Sequence, residues 1–179
     1  MCIYREMQLH IKKFDLDKIH CGAVVALIAR RKSGKSVATI NILHQNKDIP
    51  VGTVISPTEE SNGTFSKHVP SLFIHNKYTP KIIENVVKRQ KAIIKAQKRE
   101  IAKYGRSSID PRAFLVMDDC MYDNSWKRDE NISYIFSNGR HIKLTYIVTL
   151  QYVKGVGPAY RNNMDFIFLF LSLIHISEP

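Results

Sequence analysis

Cysteine is scarce in this chain. The three in 179 residues, Cys2, Cys21 and Cys120, form neither a C-x-x-C pair nor an even framework. That excludes a disulfide-stapled scaffold and predicts a reducing, intracellular compartment. Long apolar runs are also missing. The longest, Cys21 to Ala29 and Phe166 to Leu171, fall far short of the ~20 residues that a membrane helix needs, so no membrane span is expected. The opening stretch, MCIYREMQLHIKKFDLDKIH, holds no apolar segment of signal-peptide length. The seven histidines show no ligand spacing, so no zinc site is expected. Acidic residues are few as well, 16 against 27 lysines and arginines, for a formal charge of +11. A surface so basic predicts a polyanionic partner: nucleic acid, an anionic membrane face or a phosphorylated ligand. Apolar residues, at 44%, suffice for a sizeable core and exclude a disordered tail, a collagen-like fibre or a coiled coil, and the length suits one domain.

Strands and helices alternate along the chain. Residues 1–20 read as an edge strand or strap with a polar turn. Gly22 to Ala29 (GAVVALIA) is a continuous apolar run, the pattern of a strand buried on both faces of a parallel sheet. Val37 to Leu43 has helical spacing, and Val51 to Ser56 is a second strand ended by Pro57. Residues 57–70 read as a polar loop, and Leu72 to Ile74 as a short third strand. Pro80 opens a long helix that Gly105 stops. In it Ile83, Val86, Val87, Ile94 and Ile101 form an apolar stripe, interrupted by Gln90 and Gln97, so its burial is expected to be partial. Ala113 to Met117 is a buried strand and Asn131 to Phe136 a helix, with Trp126 as its anchor. Leu144 to Leu150 and Phe166 to Phe170 complete the set. This order predicts a three-layer α/β fold with a mostly parallel sheet.

The turn after the first strand reads Ala29-Arg30-Arg31-Lys32-Ser33-Gly34-Lys35-Ser36. It fits G-x-x-x-x-G-K-[ST] except for alanine at the first position. Backbone N–H groups of such a loop curl around a β-phosphate, and the next helix, entered at Val37, adds its positive end. Lys35 is expected to bridge the β- and γ-phosphates and Ser36 to hold Mg²⁺ through its hydroxyl. Without the flanking strand and helix, the same run would be a basic surface turn.

AFLVM ends in Asp118 and Asp119. A carboxylate at such a strand tip, beside a phosphate loop, suits Mg²⁺ binding by Asp118 and activation of the attacking water by Asp119. Val51 to Ser56 lies between the loop and this pair along the chain, and an extra strand between the two is expected in ring-forming ATPases. Gln151, at the tip of the Leu144–Leu150 strand, is a candidate contact for γ-phosphate or water. Arg140 and Arg161 are candidates for an arginine finger reaching a neighbouring subunit's γ-phosphate. Each of the three reads equally as a solvated surface residue. Cys120, and His20 beside Cys21, read as packing or linker residues. Eight bases, Lys81, Lys88, Arg89, Lys91, Lys95, Lys98, Arg99 and Lys103, face only Glu84 and Glu100 on the long helix, which could track a phosphate backbone or simply be a solvated face. No aromatic residues interleave with them, so single-strand stacking is not indicated.

The last nine residues, LSLIHISEP, read as the translation of a sequencing-library adapter. On that reading residues 1–170 are the N-terminal, C-terminally truncated portion of an ATPase domain, and 171–179 are foreign to it.

Five further segments occur in order: Ile55-Ser56-Pro57-Thr58-Glu59, Asp118-Asp119-Cys120-Met121-Tyr122-Asp123, Asn138-Gly139-Arg140-His141, Thr149-Leu150-Gln151-Tyr152 and Arg161-Asn162-Asn163-Met164-Asp165. Together they resemble the DNA-packaging ATPase of nucleocytoplasmic large DNA viruses, the poxvirus-type branch of the FtsK–HerA superfamily, in the version of algal and giant viruses. The resemblance spans nearly all of residues 20–170. It implies a RecA-like core, ATP and Mg²⁺ as cofactors, a homo-oligomeric ring, and ATP-driven movement of double-stranded DNA into the capsid, with capsid or portal components as partners. The setting implied is the assembly site in the host-cell cytoplasm, or the virion. Lys35 and Ser36 map to the phosphate loop, Asp118 to the Mg²⁺-associated acid, and Asp119 to a position that Glu fills in many relatives. Arg140 matches the superfamily's suggested finger and Gln151 its sensor, with Arg161 as a second finger candidate. Two alternatives stay open: a non-catalytic basic DNA- or capsid-binding protein with a decayed phosphate loop, and a related helicase or recombination ATPase.

Overall fold

The computed structural model describes residues 12–120, 123–152 and 156–170. Residues 1–11 and 171–179, with the strap and adapter expectations that fall on them, lie outside the described residues.

Among the described residues six strands form one sheet: β1 (Val24–Ile28), β2 (Val51–Ile55), β3 (Ile74–His75), β4 (Ala113–Met117), β5 (Leu144–Leu150) and β6 (Phe166–Leu169). Every pairing is parallel, in the spatial order β3-β2-β4-β5-β1-β6. Among the described residues the α-helices are α1 (Lys35–Gln45), α2 (Glu59–Asn62), α3 (Pro80–Tyr104), α4 (Glu130–Asn138) and α5 (Pro158–Arg161).

The apolar strands are buried on both faces because side chains alternate across a strand. In β1, Val24, Ala26 and Ile28 enter one core with Leu115, Met117, Tyr146 and Val148. That core is capped by Ile83, Val86 and Val87 of α3, by Ile132, Ile135 and Phe136 of α4, and by Trp126. Val25 and Leu27 enter the other core, under Ile42 and Leu43 of α1 and under Phe65 and Val69 of the loop after α2. The result is three layers, helix on sheet on helix. Phe14, in the described part of the N-terminal segment, packs edge-on against Phe166 and Phe168.

Several expectations shift. Leu72 belongs to a 3-10 turn, Ser71–Phe73, and the third strand is the two residues that follow it. The loop at 57–70 contains α2. The strand lying between β1 and β4 in space is β5, whereas β2 lies beyond β4. Parallel strands can be far apart in sequence, so order along the chain gives no order in the sheet.

On α3, Gln90 does not interrupt burial. It is wholly buried, and its amide donates to the carbonyls of Pro111 at 2.8 Å and Ile142 at 2.9 Å. Gly105 ends α3 with φ 72°, a left-handed cap that glycine adopts without a Cβ clash.

Candidate functional site: the cleft at the carboxyl ends of the strands

A wholly parallel sheet sends all strand ends the same way, and ligands of open α/β sheets bind outside the carboxyl ends. Register puts the tips level here: Ile28 lies opposite Leu150, and Met117 opposite Val148. The residues that follow these tips therefore meet. A cleft of about 230 Å³ is lined by residues 31–37, Thr58, Asn62, Asp118 and Asp119.

The loop 29–34 is tied at its base by the Ala29 N–H, which donates to the Leu150 carbonyl at 3.0 Å. Ala29 is buried and does not have a positive φ, so its Cβ costs the loop no backbone strain. Lys32 has φ 60° and Gly34 φ 86°. A Cβ on Gly34 would meet nothing within 4 Å, so the need for glycine there is conformational rather than steric. Gly34 is the residue that enters α1, and the first N–H groups of that helix open on the cleft. Lys35 is nearly buried, and its ammonium donates to the carbonyls of Ala29 at 2.8 Å and Arg30 at 2.9 Å. Burial pulls the Lys35 ammonium below the usual lysine range, against the opposing pull of Asp119 and Asp118.

The acidic side is cross-bonded. Asp118 is buried, and burial pushes its carboxyl above the usual carboxylate range. The Thr149 hydroxyl donates to Asp118 Oδ1 at 2.9 Å. The same hydroxyl accepts the Asp119 N–H at 2.9 Å. Asp119 itself sits at φ 50°, a left-handed conformation that aspartate tolerates better than most residues. Its Oδ1 accepts the Gln151 amide at 2.7 Å. The reading from sequence quoted Thr149 and Ser56 only within strand and family segments and gave neither a role at Asp118, toward which Ser56 also donates. The signal available was a threonine two residues before Gln151, at the carboxyl end of its strand.

Lys35, Ser36, Asp118 and Asp119 thus come together, with Gln151 on Asp119. Arg31, Lys32, Ser33 and Val37 also line the cleft, whereas Ala29 and Arg30 contribute carbonyls behind it. The two arginines do not join them. Arg140 precedes β5 at the opposite edge of the sheet and pairs there with Asp165. Arg161 donates to the Val156 carbonyl at 3.0 Å. Cys120 is buried against the Ile55 and Asp118 carbonyls, and Cys21 lies against Lys143 O at the opposite edge.

The residues present fit a triphosphate with magnesium. Among the described residues no group of three or more Asp, Glu, His or Cys could form a cation cage. Magnesium does not require one, since it is held by one or two carboxylates together with substrate phosphates. Ser36 and Asp118 are the residues able to hold it here.

The architecture and the loop define the fold of the P-loop NTPases. No family model matches the chain. Among curated proteins, uncharacterized protein L437 of Acanthamoeba polyphaga mimivirus is 37% identical over 163 residues, covering 90% of this chain and 57% of that protein. Uncharacterized protein 075L of Invertebrate iridescent virus 6 is 37% identical over 172 residues, covering 89% and 62%. Uncharacterized protein 015R of Frog virus 3 (isolate Goorha) is 34% identical over 150 residues, covering 83% and 44%. The chain therefore spans only about two fifths to three fifths of these relatives. Among solved structures, the cytoplasmic domain of EssC superposes with TM-score 0.59 at 14% identity, over 83% of this chain and 32% of that one. The genome-packaging NTPase B204 of Sulfolobus turreted icosahedral virus 2, in complex with ATP-gammaS, gives TM-score 0.52 at 20% identity, over 84% and 75%. These likenesses establish the fold. No described helix is long and apolar enough to cross a membrane.

Proposed function

We propose that this chain is the ATPase core of a DNA-packaging motor, one that hydrolyses ATP to move double-stranded DNA into a capsid. The observation that carries the reading is the meeting of Lys35, Asp118, Asp119 and Gln151 around one cleft, from segments far apart in sequence. Support also comes from the fold-level likeness to a viral packaging NTPase, from relatives in large DNA viruses, and from the basic charge.

Residues 31–37 would wrap the phosphates, and the Lys35 ammonium would leave the loop carbonyls for the β- and γ-phosphate oxygens. Ser36 and Asp118 would hold Mg²⁺, which when bound supplies charge neutralisation at those oxygens. Asp119 would take a proton from the attacking water. Gln151 fixes one oxygen of that carboxylate, leaving the second for the proton. Thr149 orients both acids at once. Arg140 or Arg161 would act on a neighbouring subunit of a homo-oligomeric ring, since neither faces the cleft of its own chain. Work of this kind belongs at the viral assembly site in the host-cell cytoplasm or in the virion, beside capsid or portal components.

The test is ATP turnover by the purified chain and by its full-length form, with and without duplex DNA. The reading expects turnover that duplex DNA stimulates and that Lys35→Ala abolishes. Duplex binding without nucleotide dependence or hydrolysis would replace it with the non-catalytic DNA-binding alternative.

A further inference from the structure

The helix α3 is longer than the sheet beneath it. It leaves the carboxyl edge after β3 and returns the chain to the start of β4 at the opposite edge. The bonds from Gln90 to the carbonyls of Pro111 and Ile142, which lead into β4 and β5, put Gln90 level with that opposite edge. From Lys91 to Tyr104 the helix runs on past the edge for about 21 Å at ~1.5 Å per residue. Burial divides at the same place. Ile83, Val86, Val87 and Gln90 are buried, and residues 101–106 are all exposed. The overhang is braced by the returning loop: Gln97 donates to the Ile109 carbonyl at 3.0 Å, and Ser107 donates to Glu100 at 2.6 Å.

Charge divides there too. In the packed half, Lys81 and Lys88 both pair with Glu84. In the overhang and its cap, Lys91, Lys95, Lys98, Arg99, Lys103 and Arg106 are exposed, and Glu100 is the one acid among them. Lys91–Lys95, Lys95–Arg99 and Arg99–Lys103 are like charges four residues apart, a spacing that destabilises a helix standing alone. Ordinary solvated helices mix signs at that spacing, as the packed half does. The return loop covers part of the overhang, and its exposed large apolar side chains, Ile101 and Tyr104, are too few for the broad apolar face that lies in a membrane surface. A braced rod with five to six like charges along ~21 Å carries one per ~4 Å, comparable with the phosphate spacing along one strand of a duplex, about 3.4 Å of axis.

We propose that the overhang of α3, from Lys91 to Lys103, is a phosphate-tracking contact for duplex DNA on the edge of the domain opposite the nucleotide cleft. The proposal rests on the DNA-motor reading given above and adds to it where the duplex is held.

The test is fluorescence anisotropy of the chain with a labelled duplex oligonucleotide across a salt series, with ATP turnover followed in parallel. The triple variant Lys91→Gln, Lys95→Gln, Lys98→Gln is expected to bind ~10-fold or more weakly at about 0.1 M salt. Its slope of log affinity against log salt should be shallower by about 2 to 3. DNA-free ATP turnover should be unchanged, and the Lys→Arg triple should bind like the parent. The double variant Lys81→Gln, Lys88→Gln, on the packed half, should change affinity by less than about twofold, as expected of bases already paired with Glu84. Equal affinity and equal slope in the glutamine triple would overturn the proposal. So would binding to phosphatidylserine vesicles but not to duplex. Lysine-dependent duplex binding by a chain that shows no ATP turnover would overturn the motor reading and leave the surface standing.

Discussion

The two edges of the sheet handle charge in opposite ways. At the carboxyl edge Lys35 and Asp118 are buried, and each is met by named partners at 2.8–2.9 Å. At the other edge the bases on the α3 overhang are exposed, with Lys91 over the Tyr134 ring, and the formal pairs, Arg140 with Asp165 and Arg112 with Asp48 and Asp110, each keep at least one partner in contact with solvent. Electrostatic interactions strengthen as water is excluded and weaken as salt screens them. A buried site is therefore sensitive to one atom and indifferent to ionic strength. An exposed face is tolerant of single changes and governed by their sum. On the proposed reading, one edge acts on a single bond and the other holds a duplex.

The sharpest way to separate the edges is Lys35→Ala. Removing a charged donor aimed at developing charge costs about 10²–10³-fold in turnover. The expected outcome is that loss with duplex affinity held within about twofold, read by phosphate release and anisotropy on the same preparation. If DNA affinity fell in step with turnover, the two edges would not be independent.

Thr149→Val comes next. The variant keeps the shape and removes a hydroxyl that donates to Asp118 and accepts from Asp119. It leaves a buried carboxylate and a backbone N–H each short of a partner, a cost of about 1–3 kcal/mol. Urea unfolding should show that loss, and turnover should fall ~10-fold as the acids lose their fixed orientation. Thr149→Ser should recover most of both. A purely structural role would move the unfolding midpoint and leave turnover per folded molecule alone.

Much of this site was legible from residues because its parts are local. Continuous apolar runs announce β1 and β4, helical spacing announces α1 and α3, and the loop 29–36 carries a phosphate-loop pattern in its letters. What was not legible is what only the sheet creates. Nothing in Leu144–Leu150 says that it lies between β1 and β4, and that placement alone makes Thr149 the link between Asp118 and Asp119. Gln90 reads as a break in an apolar stripe, yet Pro111 and Ile142, in the segments that lead into β4 and β5, supply two carbonyls that make burying it favourable. β3 is short enough to carry almost no periodicity. The overhang of α3 was visible as a charge run, but its projection depends on where β4 and β5 begin.

Asp118→Asn sharpens the comparison through pH. Burial raises the Asp118 carboxyl above its unfolded value of about 3.8, so at neutral pH the folded state bears an ionised group that it disfavours. The asparagine variant bears none. It should lose turnover and yet melt at or above the parent temperature near neutral pH. As pH falls through the raised value, the parent takes up a proton in the folded state, and its stability relative to the variant recovers. The gap between the two melting temperatures should therefore narrow toward acid. A gap that widened on acidification would mean that the carboxylate is stabilised in the fold, with its pKa depressed.

The smallest effect concerns strain in the phosphate loop. Lys32 holds φ 60°, where a residue with a Cβ is disfavoured by roughly 1–2 kcal/mol. Glycine would remove that strain but gives back about 0.5–1 kcal/mol through its freer unfolded chain. Lys32→Gly is thus expected to stabilise the protein by only about 0.5 kcal/mol in urea unfolding. It also removes a charge from the cleft wall, so nucleotide affinity should weaken a few-fold while duplex affinity at the far edge stays put. On the proposed reading the loop can carry this cost because a bound anion, contacting several N–H groups at once, would favour the curled conformation that the backbone alone resists. If so, the stability gain from Lys32→Gly should shrink when unfolding is measured in saturating ATP.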